Sequence, residues 1–293
     1  FNLGLARAWL GDNGGGLAAL DRYLELEPDE AQAAVAATLA EVLRCGRGQE
    51  DECDYHEYAF ALQIRNPEPL HALLQDWDRA GRLVPMPTQQ EGTLEALLLE
   101  MTTTPLITTG GPPADAGYLA GYLVIAGRLL HVTSPLKPAF DRVREEVRQR
   151  LSLGLGELPE VRGPIRFHDV VADALLFPTR EGDSGAAGRV LAHAQRYYEE
   201  TWVHRPRRSL SGNTPVDATG HPKLRKRLRG VIGFIQDCAH GGMIGNYDFD
   251  RLRRKLGLLE AGTGPAPAAP ATTAAPPAAA APAADIPAMG TPE

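Results

Sequence analysis

The stretch Leu3-Gly4-Leu5-Ala6-Arg7-Ala8-Trp9-Leu10-Gly11-Asp12, continued through Leu17, Leu20, Tyr23 and Leu24 to Leu26-Glu27-Pro28-Asp29, decides how the rest of the chain is read. Its apolar spacing predicts a helical hairpin. Leu3, Ala6 and Leu10 fall on one face of a first helix, Gly11-Asp12 is a turn, and Leu17, Leu20, Tyr23 and Leu24 line a second helix stopped by Pro28. A third helix follows from Glu30 to Leu43, with Ala33, Val35, Ala36, Leu39, Val42 and Leu43 as its stripe and Gly46 as its C-cap.

The hairpin resembles a tetratricopeptide repeat. Gly4, the Leu10-Gly11-Asp12 turn and the Leu26-Glu27-Pro28-Asp29 exit stand at that family's spacing, while Gly16 replaces its usual mid-hairpin Ala and Arg7 its usual Tyr. The resemblance implies an array of stacked hairpins, since one repeat cannot bury its own apolar face. It also implies a partner protein on the concave face formed by the first helix of each hairpin, which makes Asn2, Arg7 and Trp9 the candidate contact residues. The chain opens at Phe1, inside the pattern and without Met, so earlier repeats are expected upstream, a processed terminus being the alternative.

At 293 residues the chain has room for about two domains, each of ~100–200 residues. Hydrophobic residues at 43% and charged residues at 23% suit a soluble globular protein. No apolar run approaches the ~20 residues of a membrane span. Three cysteines cannot build a disulfide framework, and a reducing cytoplasm is the expected location. The net charge of −7 is uneven: Val190 to Glu260 holds 13 Lys+Arg against 7 Asp+Glu, which leaves −13 on the remainder.

Further along, Asp51 to Ile64 reads as a helix carrying Tyr55, Tyr58, Ala59 and Leu62, and Leu70 to Ala80 as another carrying Leu70, Leu73, Leu74 and Trp77, so residues 1–87 are expected to be a helical, repeat-like region. Cys45, Cys53 and His56 offer three zinc-type ligands, but their spacing is too wide for a knuckle and no fourth ligand is apparent. Packed thiols are the expectation, with no metal and no cofactor. Residues 88–180 change character. Thr93 to Met101 reads as a short helix and 105–116 as a loop. Gly121 to Ala126 and Leu129 to Thr133 form strands about Gly127-Arg128, Leu136 to Leu151 forms a helix, and Pro164 to Val171 forms a further strand. The resulting fold class is mainly α: a helical-repeat front, a small β-β-α-β middle unit, C-terminal helices over 186–260, and a disordered Ala/Pro-rich tail over 261–293.

Catalytic readings were weighed on three features. His168-Asp169 is half of a charge relay, His131 stands in a strand, and Gly182-Asp183-Ser184-Gly185 resembles the nucleophile loop of trypsin-like proteases. Ser184 lies in a Gly-rich linker before a helix, where a turn or N-cap role is expected. With no phosphate-cradling Gly-Lys-Ser/Thr loop, no dinucleotide fingerprint and no His-Glu-x-x-His, the chain is not expected to be an enzyme.

The other informative stretch runs from Val190 to Leu228. Leu191, Ala194, Tyr197, Tyr198 and Trp202 ride one helix, Thr214-Pro215 opens a second, and Leu224, Leu228, Val231, Ile232 and Ile235 stripe a third. Trp202, Pro206, Leu210, Gly212, Thr214 and Pro215 resemble the toxin-binding region of the Xre/MbcA/ParS antitoxins, and also the tails of uncharacterised bacterial repeat proteins. Ser211 departs from that pattern's Gly, and Ala218-Thr219 from its Leu-Leu. The plainer alternative is that Trp202, Leu210 and Pro215 lock one helix against the next. The resemblance, with the surrounding cations, marks Trp202, His204, Arg205, Arg207, Arg208, Lys223, Arg225, Lys226, Arg227 and Arg229 as an alternative surface for a protein or for nucleic acid. The leading expectation is a non-enzymatic scaffold or adaptor of the tetratricopeptide type; the runner-up is an antitoxin-like or nucleic-acid-associated regulator.

Overall fold

The computed structural model describes residues 1–26, 29–46, 53–88, 92–101, 116–152, 158–178 and 185–259, and Phe1–Leu259 forms one compact unit. The linker carrying Ser184 and the tail over 261–293 lie outside the described residues.

The amino-terminal helices are α1 (Asn2–Trp9), α2 (Asn13–Leu26) and α3 (Glu30–Cys45). Asp12 caps α2 by accepting from the Gly15 amide at 2.8 Å, and Asp29 caps α3 by accepting from the amides of Ala31 and Gln32. A core of Leu17, Leu20, Leu24, Ala33, Ala36, Ala37, Ala40 and Leu43 joins α2 to α3.

Among the described residues no second helical hairpin follows α3. After α3 the chain enters strand β1 (Glu57–Gln63), where a helix over 51–64 was expected, then α4 (Pro67–Arg79), β2 (Leu83–Pro85) and β3 (Thr93–Met101), the last also read as a helix. Strands β4 (Ala116–Ala126) and β5 (Leu129–Ser134) come next, then α5 (Lys137–Arg150), β6 (Val161–Gly163) and β7 (Phe177–Pro178). The strands make one seven-stranded sheet, ordered β2-β3-β4-β5-β1-β6 with β7 on β4, and every pairing is antiparallel.

This overturns the expectation of a mainly α helical-repeat fold with a small β-β-α-β unit. Residues 1–87 are not all helical, because they supply two strands, one of them in the sheet interior between β5 and β6. The reason is visible in β1, where Tyr58, Phe60 and Leu62 alternate and pack toward α4 and α5. The strand expected over 164–171 is instead a 3-10 helix, Phe167–Ala174.

The sheet is covered on both faces. One face meets α4 and α5 through Phe60, Leu73, Trp77, Leu123, Val132, Phe140 and Val143. Glu146 of α5 ties this layer together, accepting from the Trp77 indole at 2.9 Å and pairing with Arg82 at 3.0 Å. On the other face Tyr122 donates to Asp169 of the 3-10 helix, and Tyr118 meets the His193 ring at 5.6 Å.

The carboxyl-terminal helices are α6 (Ala186–Arg196), α7 (Pro215–Ala218), α8 (Pro222–Ala239) and α9 (Phe249–Lys255). The crossing of α3 with α8 is close because its residues are small. A Cβ on Gly230 would lie 2.2 Å from the Ala37 side chain, and one on Gly233 would lie 2.6 Å from Thr38 Oγ1. Helices α2 and α3 therefore pack on α8.

Candidate functional site

Helix α1 turns its smallest residues inward. A Cβ on Gly4 would stand 2.8 Å from the Leu20 side chain and 3.2 Å from the Gly16 carbonyl, so the α1–α2 contact is backbone-close. Gly4 and Ala8 on the inner side leave the opposite arc of the helix, Asn2, Leu3, Ala6, Trp9 and Leu10, in solvent. Trp9 is 90% exposed, Leu10 85% and Leu3 59%. Full burial of one large apolar side chain contributes about 1.5–3 kcal/mol, so this bare stripe is a costly thing to hold in water.

Of the three contact residues inferred from the repeat resemblance, Asn2 and Trp9 lie on this outer arc. Arg7 does not: it donates to the Gly15 carbonyl at 3.2 Å and lies 4.0 Å from Asp12, bracing the turn. Leu3 and Leu10, placed by their spacing on one face of the first helix, are apolar members of the exposed stripe. The signal that finds them is the small pair Gly4 and Ala8, four residues apart, which marks the side where two backbones touch.

The alternative carboxyl-terminal surface is largely internal. Trp202 is 1% exposed, with its ring against Tyr198. Arg207, 7% exposed, is held between the rings of Tyr55 and Trp202 at 5.7 and 5.3 Å, and its Nε has no hydrogen-bond partner. Arg205 pairs with Asp173 at 3.2 Å and covers the Tyr197 ring. The Arg208 amide donates to Asp54 at 2.9 Å, and Ser209 Oγ donates to the same carboxylate at 3.0 Å. Thr214 caps α7 by accepting from the Asp217 amide, with Pro215 first in the helix. His204 remains exposed.

On α8 each named cation is committed to the same chain. Lys223 pairs with Glu25 at 2.6 Å, Arg227 with Asp21 at 2.8 Å, and Arg229 with Glu30. Arg225 donates to the Gly257 carbonyl at 2.8 Å and Lys226 to the Leu24 carbonyl at 3.1 Å. Asp21 also accepts from Arg44, whose other amino group bonds the buried Glu41 at 2.5 Å. Burial pushes the Glu41 carboxyl up to about 7 despite that partner.

The remaining polar clusters are knitted together as well. Asp169, 3% exposed, lies 3.3 Å from Arg166 and 3.6 Å from His168, while Arg166 covers the Tyr122 ring at 4.2 Å and pairs with Glu57. Burial raises the Asp169 carboxyl above its ordinary value. His131 is on β5, paired with Ala61 and Val124 of the neighbouring strands. Cys45 and Cys53 lie 3.4 Å apart as free thiols, and among the described residues no group of three His, Cys, Asp or Glu is arranged to hold a metal ion.

Layered on both faces of one antiparallel sheet, with a bare helix at its amino-terminal side, the chain is an α+β protein by architecture. No protein-family model, curated protein or solved structure matches it.

Proposed function

We propose that this chain is a non-enzymatic protein-binding module that takes an amphipathic helix of a partner protein on the outer face of α1. The observation that carries the reading is the exposed stripe Leu3, Ala6, Trp9 and Leu10. Its three-, four- and seven-residue spacings are those by which one helix seats against another. The order of packing points to the same occupant. Helix α2 lies between α1 and α3, and α3 between α2 and α8, whereas among the described residues α1 packs chiefly on α2. A partner's helix on the bare side continues the layer.

Trp at the centre of such a patch is the residue type that dominates binding energy when enclosed. A toxin-like protein or nucleic acid at Trp202 to Arg229 is the weaker reading, because Trp202 is enclosed and the α8 cations already have acceptors. We place the module in the cytoplasm, a reading supported by its three free thiols; no helix among the described residues is long and apolar enough to cross a membrane.

The test is a displayed library of amphipathic helical peptides selected on the intact chain and counter-selected on Trp9→Ser/Leu10→Ser. Enrichment of peptides with apolar residues at helical spacing, lost on the double variant, is the expected result. Equal recovery on both proteins, or enrichment of non-helical acidic sequences, would reject the reading.

A further inference from the structure

A cleft of about 470 Å³ opens between α4 and the end of the sheet where β4 turns into β5. That volume lies within the ~300–1,000 Å³ typical of sites for small organic ligands. Its walls are apolar: Leu70 and Leu74 from α4, Leu94 from β3 and Ile125 from β4. Its polar lining is concentrated at His71 and Arg128.

Arg128 is placed there by the two-residue turn between β4 and β5. Gly127, at φ +57°, takes the left-handed first position of a two-residue hairpin loop, and Arg128 follows it. The Ile64 amide donates to the Arg128 carbonyl at 2.7 Å, which pins this turn to the end of β1. Most arginines of this chain are paired with a carboxylate, but among the described residues neither Arg65 nor Arg128 has a carboxylate within 4.0 Å. The Arg128 guanidinium thus stands in the lining of an apolar cleft without a carboxylate partner among the described residues.

We propose that this cleft binds an amphipathic carboxylate, a medium-chain acyl anion whose tail lies along Leu70, Leu74 and Leu94 and whose head meets Arg128. The tail gains by leaving water, and the carboxylate gains a charge-assisted, bidentate partner. A chain without a charge lacks the head contact. A short acid lacks the apolar contribution, and an amine of the same length meets the Arg128 cation. The site is independent of the α1 face, so either reading stands or falls alone.

The test uses the intact chain and calorimetric titration with octanoate, with acetate and octylamine as partners lacking the tail and the correct charge. Octanoate is expected to give saturable one-to-one binding and the other two none. Arg128 is exposed, so Arg128→Glu and the milder Arg128→Gln should leave the thermal midpoint unchanged. Arg128→Glu should weaken octanoate at least tenfold and admit octylamine. Absence of saturable octanoate binding, equal binding by octylamine, or unchanged octanoate affinity in both Arg128 variants would overturn the proposal.

Discussion

Helices α1 and α8 stand at opposite ends of the same helical layer and expose opposite things. The outer face of α1 is apolar and unoccupied: Trp9 and Leu10 are almost wholly in water. The polar face of α8 is basic and occupied, with Lys223, Arg227 and Arg229 each on a carboxylate from α2 or α3. A cluster of cations in a sequence states a charge, not its availability. Here the acidic front of the chain neutralises the basic rear, so the charge asymmetry is a fold contact. An apolar stripe is the more informative signal once the fold shows which stripe is left over.

The sharpest way to break this contrast is at the crossing that brings α8 to the front of the chain. Gly230→Val drives a branched side chain into Ala37, where even a Cβ has no room. A loss of about 3 kcal/mol or more is expected in urea unfolding, with α3 and α8 separating. A stability unchanged from wild type would mean that α3 and α8 do not meet as described.

The next effect is in pH. Glu41 has a carboxyl raised by burial to about 7, so its neutral form belongs to the folded state. Its contribution is full below about pH 4.5 and is lost as pH rises through about 7. Comparing wild type with Glu41→Gln, the wild type should lose on the order of 2 kcal/mol relative to the variant between about pH 5 and about pH 8. Parallel stability profiles for the two proteins would show that Arg44 and Arg227 hold Glu41 charged instead.

Charge reversals on α8 should separate by burial. Arg227, with a side chain 16% exposed, faces Asp21, and Arg227→Glu should cost about 2 kcal/mol through like-charge repulsion. Lys223→Glu, at an exposed pair, should cost less than about 1 kcal/mol. Adding Asp21→Lys should recover part of the Arg227→Glu loss in chemical denaturation. Equal costs for the two reversals would reduce the clasp to surface charge.

The smallest stability effect is expected where function is placed. Trp9→Ala removes a side chain that touches little, so the unfolding free energy should move by less than about 0.5 kcal/mol. A large destabilisation would mean that Trp9 packs in solution and would remove the docking face.

Several pieces of the fold were legible in the residues. Gly127-Arg128 between two apolar runs marked the β4–β5 hairpin, and the Leu224, Leu228, Val231, Ile232 and Ile235 stripe marked α8. Strand β1 was not legible as a strand, because Tyr55, Tyr58, Ala59 and Leu62 satisfy helical spacing while Tyr58, Phe60 and Leu62 satisfy alternation. The tie was broken by β5 and β6, partners distant in sequence. At the candidate site Trp9 stood out as a residue type, but the face to which it belongs did not. Leu3, Ala6 and Leu10 look like a packing face until Gly4 and Ala8 are seen to make the closer contact. Likewise the cations of α8 were countable, but their acceptors, some two hundred residues away, were not.

The most direct test of the contrast is photo-crosslinking in the native cell from a benzophenone side chain placed at Ala6 on α1 or at Arg225 on α8. The account predicts a discrete protein adduct from position 6 that maps to a helical segment of the partner and is lost with Trp9→Ala, and no discrete adduct from position 225. An adduct from position 225 alone, or one from position 6 that survives Trp9→Ala, would contradict it.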